Sequence, residues 1–330
     1  MATELKVLNL AGCQSLKRTP DLSAFKRLEI LILASCLYLE ELHPSIGNIK
    51  TLISLDVSRC RELKELPKGI GRLVELRGLH INETGIEELP ESIGALKEVK
   101  VIIAIHCPKL AHIPGSIGNL ASLQKLFLCR CSPLTKLPDS IGNLASLIEL
   151  NLSSTSIMEL PKSIGNLQNL RILTIIGAGM TELPDAIGTL AKLKKLEAWD
   201  CKNLERLPNN ICKLISLVDL NVRYCKQLRE LPEMPSNLTA LTITCQEQSL
   251  PHLSQLTLLK ELGLYVCPWL ECVPELPIGL LELYIMRCGK LKALTTNLSD
   301  LKHLRVLQTY GCPSLEPEVL NFRRTWKREL

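Results

Sequence analysis

Apolar residues recur along the chain in a fixed pattern, seen most clearly in residues 138–160, PDSIGNLASLIELNLSSTSIMEL. Leu147, Leu150 and Leu152 follow the order L-x-x-L-x-L, whose alternation predicts a short strand with one buried face. A proline then ends the extended run, and the turn-forming segment SIGNL carries further apolar residues back toward the core. One coil of a repeating structure is complete at that point.

The L-x-x-L-x-L pattern occurs fourteen times, so the chain is predicted to be a repeat array of about 14 coils. The prolines that end successive coils are 23 or 24 residues apart as far as Pro232. After Pro232 the SIGNL segment is replaced by paired prolines, in LPEMPSNL and VPELPIGL, which favour an extended return. The later coils should therefore have a thinner convex side, with a change of curvature there. The predicted strands begin at Leu5, Leu28, Leu52, Leu76, Val99, Leu123, Leu147, Leu170, Leu193, Leu217, Leu238, Leu259, Leu280 and Leu304.

A single coil buries too few apolar side chains to offset the backbone entropy lost on ordering it, so stability must come from stacking of coils. A period of about 20 to 29 residues is typical of leucine-rich repeats, whose strands line the concave face of a horseshoe. The predicted fold class is therefore α/β: a leucine-rich repeat solenoid (horseshoe) with a parallel β-sheet on its concave face. Its convex segments should be short helices or irregular.

Cysteine follows the repeat as well, at a site three residues after the last core position of each strand. A small side chain suits this site, because it packs as a hydrophobe and donates a weak hydrogen bond to a carbonyl of the neighbouring coil. We therefore predict buried, reduced thiols rather than a disulfide ladder or a metal column, and no metal or cofactor site. Thr84, Thr155, Ala178 and Gln246 occupy the site in the other four coils. The ten predicted column cysteines are Cys13, Cys36, Cys60, Cys107, Cys131, Cys201, Cys225, Cys267, Cys288 and Cys312.

The net charge of +5 is concentrated at the C-terminus, where residues 321–330 contain four basic side chains and one acidic side chain, a contribution of +3. The rest of the chain has interspersed charges, so a nucleic-acid partner is not predicted. We expect a repeat domain over residues 1–316 and a basic capping tail over 317–330, for which an amphipathic membrane-binding segment is the competing interpretation. The first residues do not resemble a signal peptide, and no apolar run is long enough to span a membrane.

Catalytic chemistry is not predicted, because the six histidines are scattered over different coils without a partnered nucleophile. Four N-x-[ST] sequons, which would suit a secreted ectodomain, are attributed to repeat composition. Reduced cysteines instead predict a location in the cytoplasm, or in both cytoplasm and nucleus. The sequons are at Asn82, Asn151, Asn237 and Asn297.

The opening coils, residues 5–52, carry a more specific signature: TPDLS at 19–23 and HPSIG at 43–47. This stretch resembles the first repeats of plant intracellular immune receptors, which combine a Toll/interleukin-receptor-like domain, a nucleotide-binding switch domain and leucine-rich repeats. The later coils, of the form LPxSIGNLxxLxxLxLxxC, are similar to the same family and to other plant repeat proteins. The resemblance implies a protein partner, either a pathogen effector or a guarded host protein, with other domains of the same receptor as a further candidate.

The chain departs from the full receptor pattern, because the phosphate-loop motif G-x-x-x-x-G-K-[ST] is absent from it. Nucleotide binding and signalling are therefore not assigned to this chain. The alternative function is a free-standing cytosolic leucine-rich repeat scaffold in signal transduction.

Alternation along each strand places the third, fifth, seventh and eighth residues of the repeat on the concave face. Only 3% of the chain is aromatic, yet six aromatic residues fall at these positions, five of them from the ninth coil onward. Tyr, Trp, Arg and Met are enriched in interface cores, so we predict that a partner binds here. The alternative is that a solvent-facing strand surface merely tolerates these side chains. This aromatic surface comprises Trp199, Arg223, Tyr224, Tyr265, Tyr284, Met286, Arg287 and Tyr310.

A second set of outward positions, in the fifth and sixth coils, is apolar rather than aromatic. Contiguous apolar patches of this kind usually mark contacts, here with a partner or with another domain of the receptor. This apolar patch comprises Val101, Ile103, Ile105, Phe127 and Cys129.

Overall fold

The computed structural model describes residues 4–317 and 319, which fall into two compact units divided between Leu170 and Arg171. Each unit is built from stacked coils, and every coil contributes one short strand to a parallel ladder. The predicted fold class is confirmed: a parallel sheet is combined with short turns on the other side of each coil. The predicted tail, 317–330, lies outside the described residues apart from Pro317 and Val319.

The strands of the first unit are three residues long and pair so that equal repeat positions align. Leu31 lies beside Leu55, and Leu55 lies beside Leu79. All three leucines are fully buried, so one row of the core runs from strand to strand. In the described part of this unit the strands are Val7–Asn9 (β1), Ile30–Ile32 (β2), Ser54–Asp56 (β3), Gly78–His80 (β4), Val101–Ile103 (β5), Lys125–Phe127 (β6) and Glu149–Asn151 (β7).

The strands of the main ladder in the second unit lengthen along the chain from three residues to five. The described strands of this unit are Ile172–Thr174 (β8), Lys195–Glu197 (β9), Asp219–Val222 (β10), Ala240–Ile243 (β11), Glu261–Tyr265 (β12), Cys272–Val273 (β13), Glu282–Met286 (β14), Ala293–Leu294 (β15) and Val306–Tyr310 (β16). The short strands β13 and β15 pair with each other in a separate two-stranded sheet. The longer strands extend the ladder to the seventh repeat position, so that Tyr265 aligns with Met286 and Met286 with Tyr310.

Short 3-10 turns return the chain on the side opposite the strands. An extended proline precedes the repeated form of the turn, as at Pro138, and the central isoleucine is buried, as at Ile141. A Cβ on Gly118 would lie 2.4 Å from the backbone oxygen of Ser140 in the next coil, so these turns stack too closely for a larger residue. Among the described residues the turns span Pro44–Asn48, Lys68–Arg72, Glu91–Ala95, Gly115–Asn119, Asp139–Asn143, Lys162–Asn166, Asp185–Thr189, Ile211–Lys213 and Leu298–Asp300.

The return segments change after the tenth coil, as the paired prolines predict. Between Lys213 and Leu298, all of which the structure describes, no 3-10 turn occurs. The segments that contain Pro232 and Pro274 are irregular instead. The change of curvature expected there stays a prediction.

The cysteine column is present, with one member exchanged and one exposed. Nine of the ten predicted thiols are buried, but Cys13 is exposed, because in the described structure a neighbouring coil covers its strand on one side only. The prediction of Gln246 in the column was wrong, since Cys245 is the buried residue of that coil. In the other coils a residue of positive φ, such as Arg59, directly precedes the column residue and turns the chain. The eleventh coil has no such residue, so the extended alternation continues and directs Cys245 inward.

Eight of the ten predicted column thiols hydrogen-bond, as predicted, to carbonyl groups of the preceding coil. The Sγ–H of Cys131 donates to the oxygen of Ala104 at 2.9 Å, and that of Cys60 donates to the oxygen of Leu33 at 3.1 Å. Burial raises the pKa of the Cys60 thiol to about 12, which keeps it protonated as the donor. The column therefore satisfies carbonyl groups that lie between coils.

Two structural features relevant to function are not found among the described residues. No helix in residues 4–317 and 319 has the length and hydropathy that a membrane span requires. The same residues contain no group of three or more His, Cys, Asp or Glu side chains placed to hold a metal ion.

Candidate protein-binding surface

The centre of the aromatic surface is a guanidinium group surrounded by rings. The Cζ atom of Arg223 lies 4.9 Å from the ring centre of Trp199, 5.8 Å from that of Tyr224 and 5.6 Å from that of Tyr265. The two tyrosine rings meet edge to face, with centres 5.7 Å apart. We call these four residues the arginine cluster. Each is half-buried, so the cluster is packed against itself and still offers surface to a partner.

The backbone of the cluster is held in place by a side chain of the eleventh coil. The hydroxyl of Thr244 accepts a hydrogen bond from the backbone N–H of Tyr224 at 2.6 Å and donates one to the carbonyl of Tyr265. Thr244 is fully buried and lies at the seventh position of its repeat. One small polar side chain therefore links the strand ends on either side of it, which restricts the positions of both tyrosines.

A glycine makes room for the Tyr265 ring. A Cβ on Gly263 would lie 2.7 Å from Cε2 of Tyr265 and 3.0 Å from Cγ2 of Thr242. The ring therefore lies directly against the backbone of its own strand β12. Glycine within a strand often marks such a close approach, so this residue is a signal that the sequence already contained.

The outer faces of β12 and β14 form three aligned pairs of residues. Tyr265 lies beside Met286, and Tyr284 lies beside Gly263, which has no side chain. The third pair is Glu261 and Glu282, which we call the acidic pair. The hydroxyl of Tyr284 donates to Oε2 of Glu282 at 2.7 Å, and this bond raises the pKa of Tyr284 to about 12. Carboxylates therefore adjoin the aromatic part of the surface.

Further negative charge lies on the neighbouring strands β9 and β10, where a lysine compensates it. The Nζ of Lys195 lies 2.7 Å from Glu197 and 2.9 Å from Asp219, and these hydrogen bonds raise the pKa of the lysine. The carboxylate of Glu261 has no ion pair among the described residues. Burial, followed by the charges of Glu282 and Asp219, raises the pKa of Glu261. The charges of Arg223 and Lys195 oppose this shift, but the pKa of Glu261 is still raised.

The remaining residues of the aromatic surface are not part of the arginine cluster. Tyr310 lies at the end of β16 and is 66% exposed. Arg287 is also exposed and has a positive φ of 56°. These two residues extend the surface but are not packed against the rings around Arg223.

The apolar patch lies in the first unit, on β5, β6 and the residues that follow them. Ile103 aligns with Phe127, and Val101 aligns with Lys125. All five residues of the patch are half-buried. The two strands thus bring the patch together, with a charged side chain at its border.

Sequence reasoning missed the polar residues that organise the aromatic surface. Thr244 falls at an outward repeat position but is neither aromatic nor charged, and Gly263 has no side chain, so neither residue stands out in the sequence pattern. The acidic pair and its neighbours fall at the third and fifth repeat positions, so a charge count along those rows could have found them.

Comparisons with known proteins agree with the repeat architecture. A family model described as a leucine-rich repeat region matches residues 4–135 and 139–278. The Arabidopsis thaliana disease resistance protein RML1A is 33% identical over a 133-residue alignment that covers 34% of this chain and 12% of that protein. The match thus spans a small part of that relative's length.

Two solved structures are similar in fold. A leucine-rich repeat protein of Leptospira interrogans superposes with a TM-score of 0.65 at 23% identity, covering 98% of this chain and 94% of the other. The plant peptide hormone receptor RGFR1, in complex with RGF2, superposes with a TM-score of 0.52 at 20% identity, covering 98% and 73%. At these identities the likeness concerns the fold alone.

Proposed function

The chain belongs to the leucine-rich repeat family, and we propose that it is the non-enzymatic recognition domain of a plant intracellular immune receptor. In this role it binds a pathogen effector or a guarded host protein and regulates the receptor in defence signalling. Solenoids of this family use extended sheet surfaces to bind other proteins. Our proposal assigns binding to the aromatic surface of the second unit.

The arginine cluster is the observation that carries this proposal. Half-buried Trp, Tyr and Arg side chains are the residue types that dominate binding energy at protein interfaces. Their mutual packing and the Thr244 hydrogen bonds hold them before a partner arrives, which lowers the entropy lost on binding. Rings on a sheet face directed away from the leucine core add nothing to that core, so the arrangement favours recognition.

The receptor class rests on different support. TPDLS and HPSIG in the opening coils resemble plant immune receptors, and the disease resistance protein RML1A matches part of the chain. The absence of any disulfide among the cysteines of the described chain suits a reducing compartment, so we assign the protein to the cytoplasm, or to both cytoplasm and nucleus.

A cell-death assay tests the proposal. The transcript that encodes this region is expressed in leaf tissue together with a library of secreted pathogen effectors, and effector-dependent cell death is scored. Replacing Trp199 or Tyr265 by Ala should weaken binding by about 2 kcal/mol or more, roughly thirtyfold, and so abolish the response at normal protein levels.

Matched controls are available away from the strand face. Trp269 is 47% exposed and has Lys290 3.9 Å above its ring, and Tyr38 is 56% exposed in the first unit. Trp269→Ala and Tyr38→Ala should leave the response intact. If these controls lose the response while Trp199→Ala and Tyr265→Ala keep it, binding lies elsewhere. A transcript without a nucleotide-binding region would favour the cytosolic scaffold instead.

A further inference from the structure

The acidic pair lies beside the rings of the aromatic surface, and this arrangement identifies the chemistry of the partner. We propose that the partner inserts an arginine, whose guanidinium binds Glu261 and Glu282 and whose apolar stem packs against Tyr265 and Tyr284. This inference rests on the proposed function, because it specifies what the same surface recognises.

The first argument is the alignment of the two carboxylates. Glu261 and Glu282 occupy equal positions on the paired strands β12 and β14, which are about 4.8 Å apart in a sheet. Like charges side by side on neighbouring strands are destabilising. The described ion pairs of this face belong to Lys195, and neither member of the acidic pair has one. Within the described chain, Glu282 accepts a hydrogen bond from the Tyr284 hydroxyl, and neither carboxylate is neutralised by a direct ion pair, so a cation from a partner would relieve their repulsion.

The second argument is the balance of charge on the outer face of coils nine to fourteen. The third, fifth, seventh and eighth repeat positions of these coils hold three basic and five acidic side chains, which gives a net charge of −2. Lys195 is already shared by Glu197 and Asp219, and Arg223 is held over the rings. A cationic partner complements what remains. The five acidic residues are Glu197, Asp200, Asp219, Glu261 and Glu282, and the three basic ones are Lys195, Arg223 and Arg287.

The third argument selects arginine. A guanidinium is planar, stacks on aromatic rings and donates to two carboxylates at once, whereas the lysine ammonium is a compact, strongly hydrated charge. The Tyr265 ring lies against Gly263, and Tyr284 aligns with Gly263 on the next strand, so both rings flank the acidic pair. The methylene groups of an arginine can cover these rings while its head reaches the carboxylates.

Peptide selection on the immobilised full chain tests this assignment. A phage library of random 12-residue peptides is selected on the unsubstituted chain, and the Kd of each recovered peptide is measured. We expect a shared arginine whose replacement by Lys weakens binding and whose replacement by Ala abolishes it. The double variant E261Q/E282Q should bind these peptides at least tenfold more weakly.

The control removes the same charge elsewhere in the second unit. Glu233 and Glu275 are exposed and lie on the return segments, so E233Q/E275Q should bind the peptides normally. Circular dichroism and Tm establish that both double variants are folded. Peptides that need Tyr265 but share no arginine, or bind E261Q/E282Q equally well, overturn the inference and leave the proposed function standing. Recovery of no Tyr265-dependent peptide counts against both.

Discussion

Replacing Gly118 by alanine is expected to disturb the stacking of consecutive 3-10 turns. The added Cβ would lie 2.4 Å from the oxygen and 2.7 Å from the Cβ of Ser140. An ordinary contact begins near 3.4 Å, so the two turns would have to separate by about 1 Å. The obstructing oxygen belongs to the backbone, and a rotamer change cannot relieve the clash.

The magnitude follows from two opposed effects. Overpacking of a close contact costs about 1 to 3 kcal/mol. Alanine also restricts the unfolded chain, which stabilises the folded state by about 0.4 to 1 kcal/mol. Gly115 lies in the same turn and has nothing within 4 Å of its added Cβ, so Gly115→Ala shows the second effect alone. The two variants should therefore differ by about 1 to 3 kcal/mol, with Gly118→Ala the less stable.

Equilibrium urea unfolding, followed by far-ultraviolet circular dichroism, measures this difference. The midpoint should fall for Gly118→Ala and rise slightly for Gly115→Ala, with little change in the slope m. The paired comparison matters because both changes have the same effect on the unfolded chain. A midpoint for Gly118→Ala equal to or above that of Gly115→Ala would refute the idea that the turns are in closest contact there.

Three further predictions concern thiols, pH and the support of the arginine cluster. Counting reactive thiols should show Cys13 modified in the native protein and the ten buried thiols modified only in denaturant. Rapid modification of most column thiols in the folded protein would contradict their burial. Because the pKa of Glu261 is raised in the folded state, the stability of the folded state falls as pH rises from the ordinary pKa of 4.5 through the raised value. Glu261→Gln should therefore raise the urea midpoint at pH 7, and this gain should disappear below pH 4.5. A lower midpoint for Glu261→Gln at pH 7 would refute the argument. Thr244→Val should cost about 1 to 3 kcal/mol by leaving two backbone groups unpaired, whereas the exposed Thr239→Val should be nearly neutral.

The sequence by itself determined the period, the buried face of each strand and most of the thiol column. Leu147, Leu150 and Leu152 were assigned to the core from their spacing, and all three are fully buried. This is possible because side-chain alternation along a strand is a local property. The repeat pattern also identified the outward residues of the aromatic surface, although their role in binding remains a prediction.

Only the tertiary structure decided which outward residues touch. Trp199, Arg223 and Tyr265 are 24 and 42 residues apart in the sequence, and their contact depends on strand register and on the turn that follows each strand. In the eleventh coil the positive-φ residue is missing, which moved Cys245 into the core and placed Thr244 between the tyrosines. A repeat period brings distant residues to neighbouring strands, but backbone conformation within one coil sets which side chains meet, and the period does not specify that conformation.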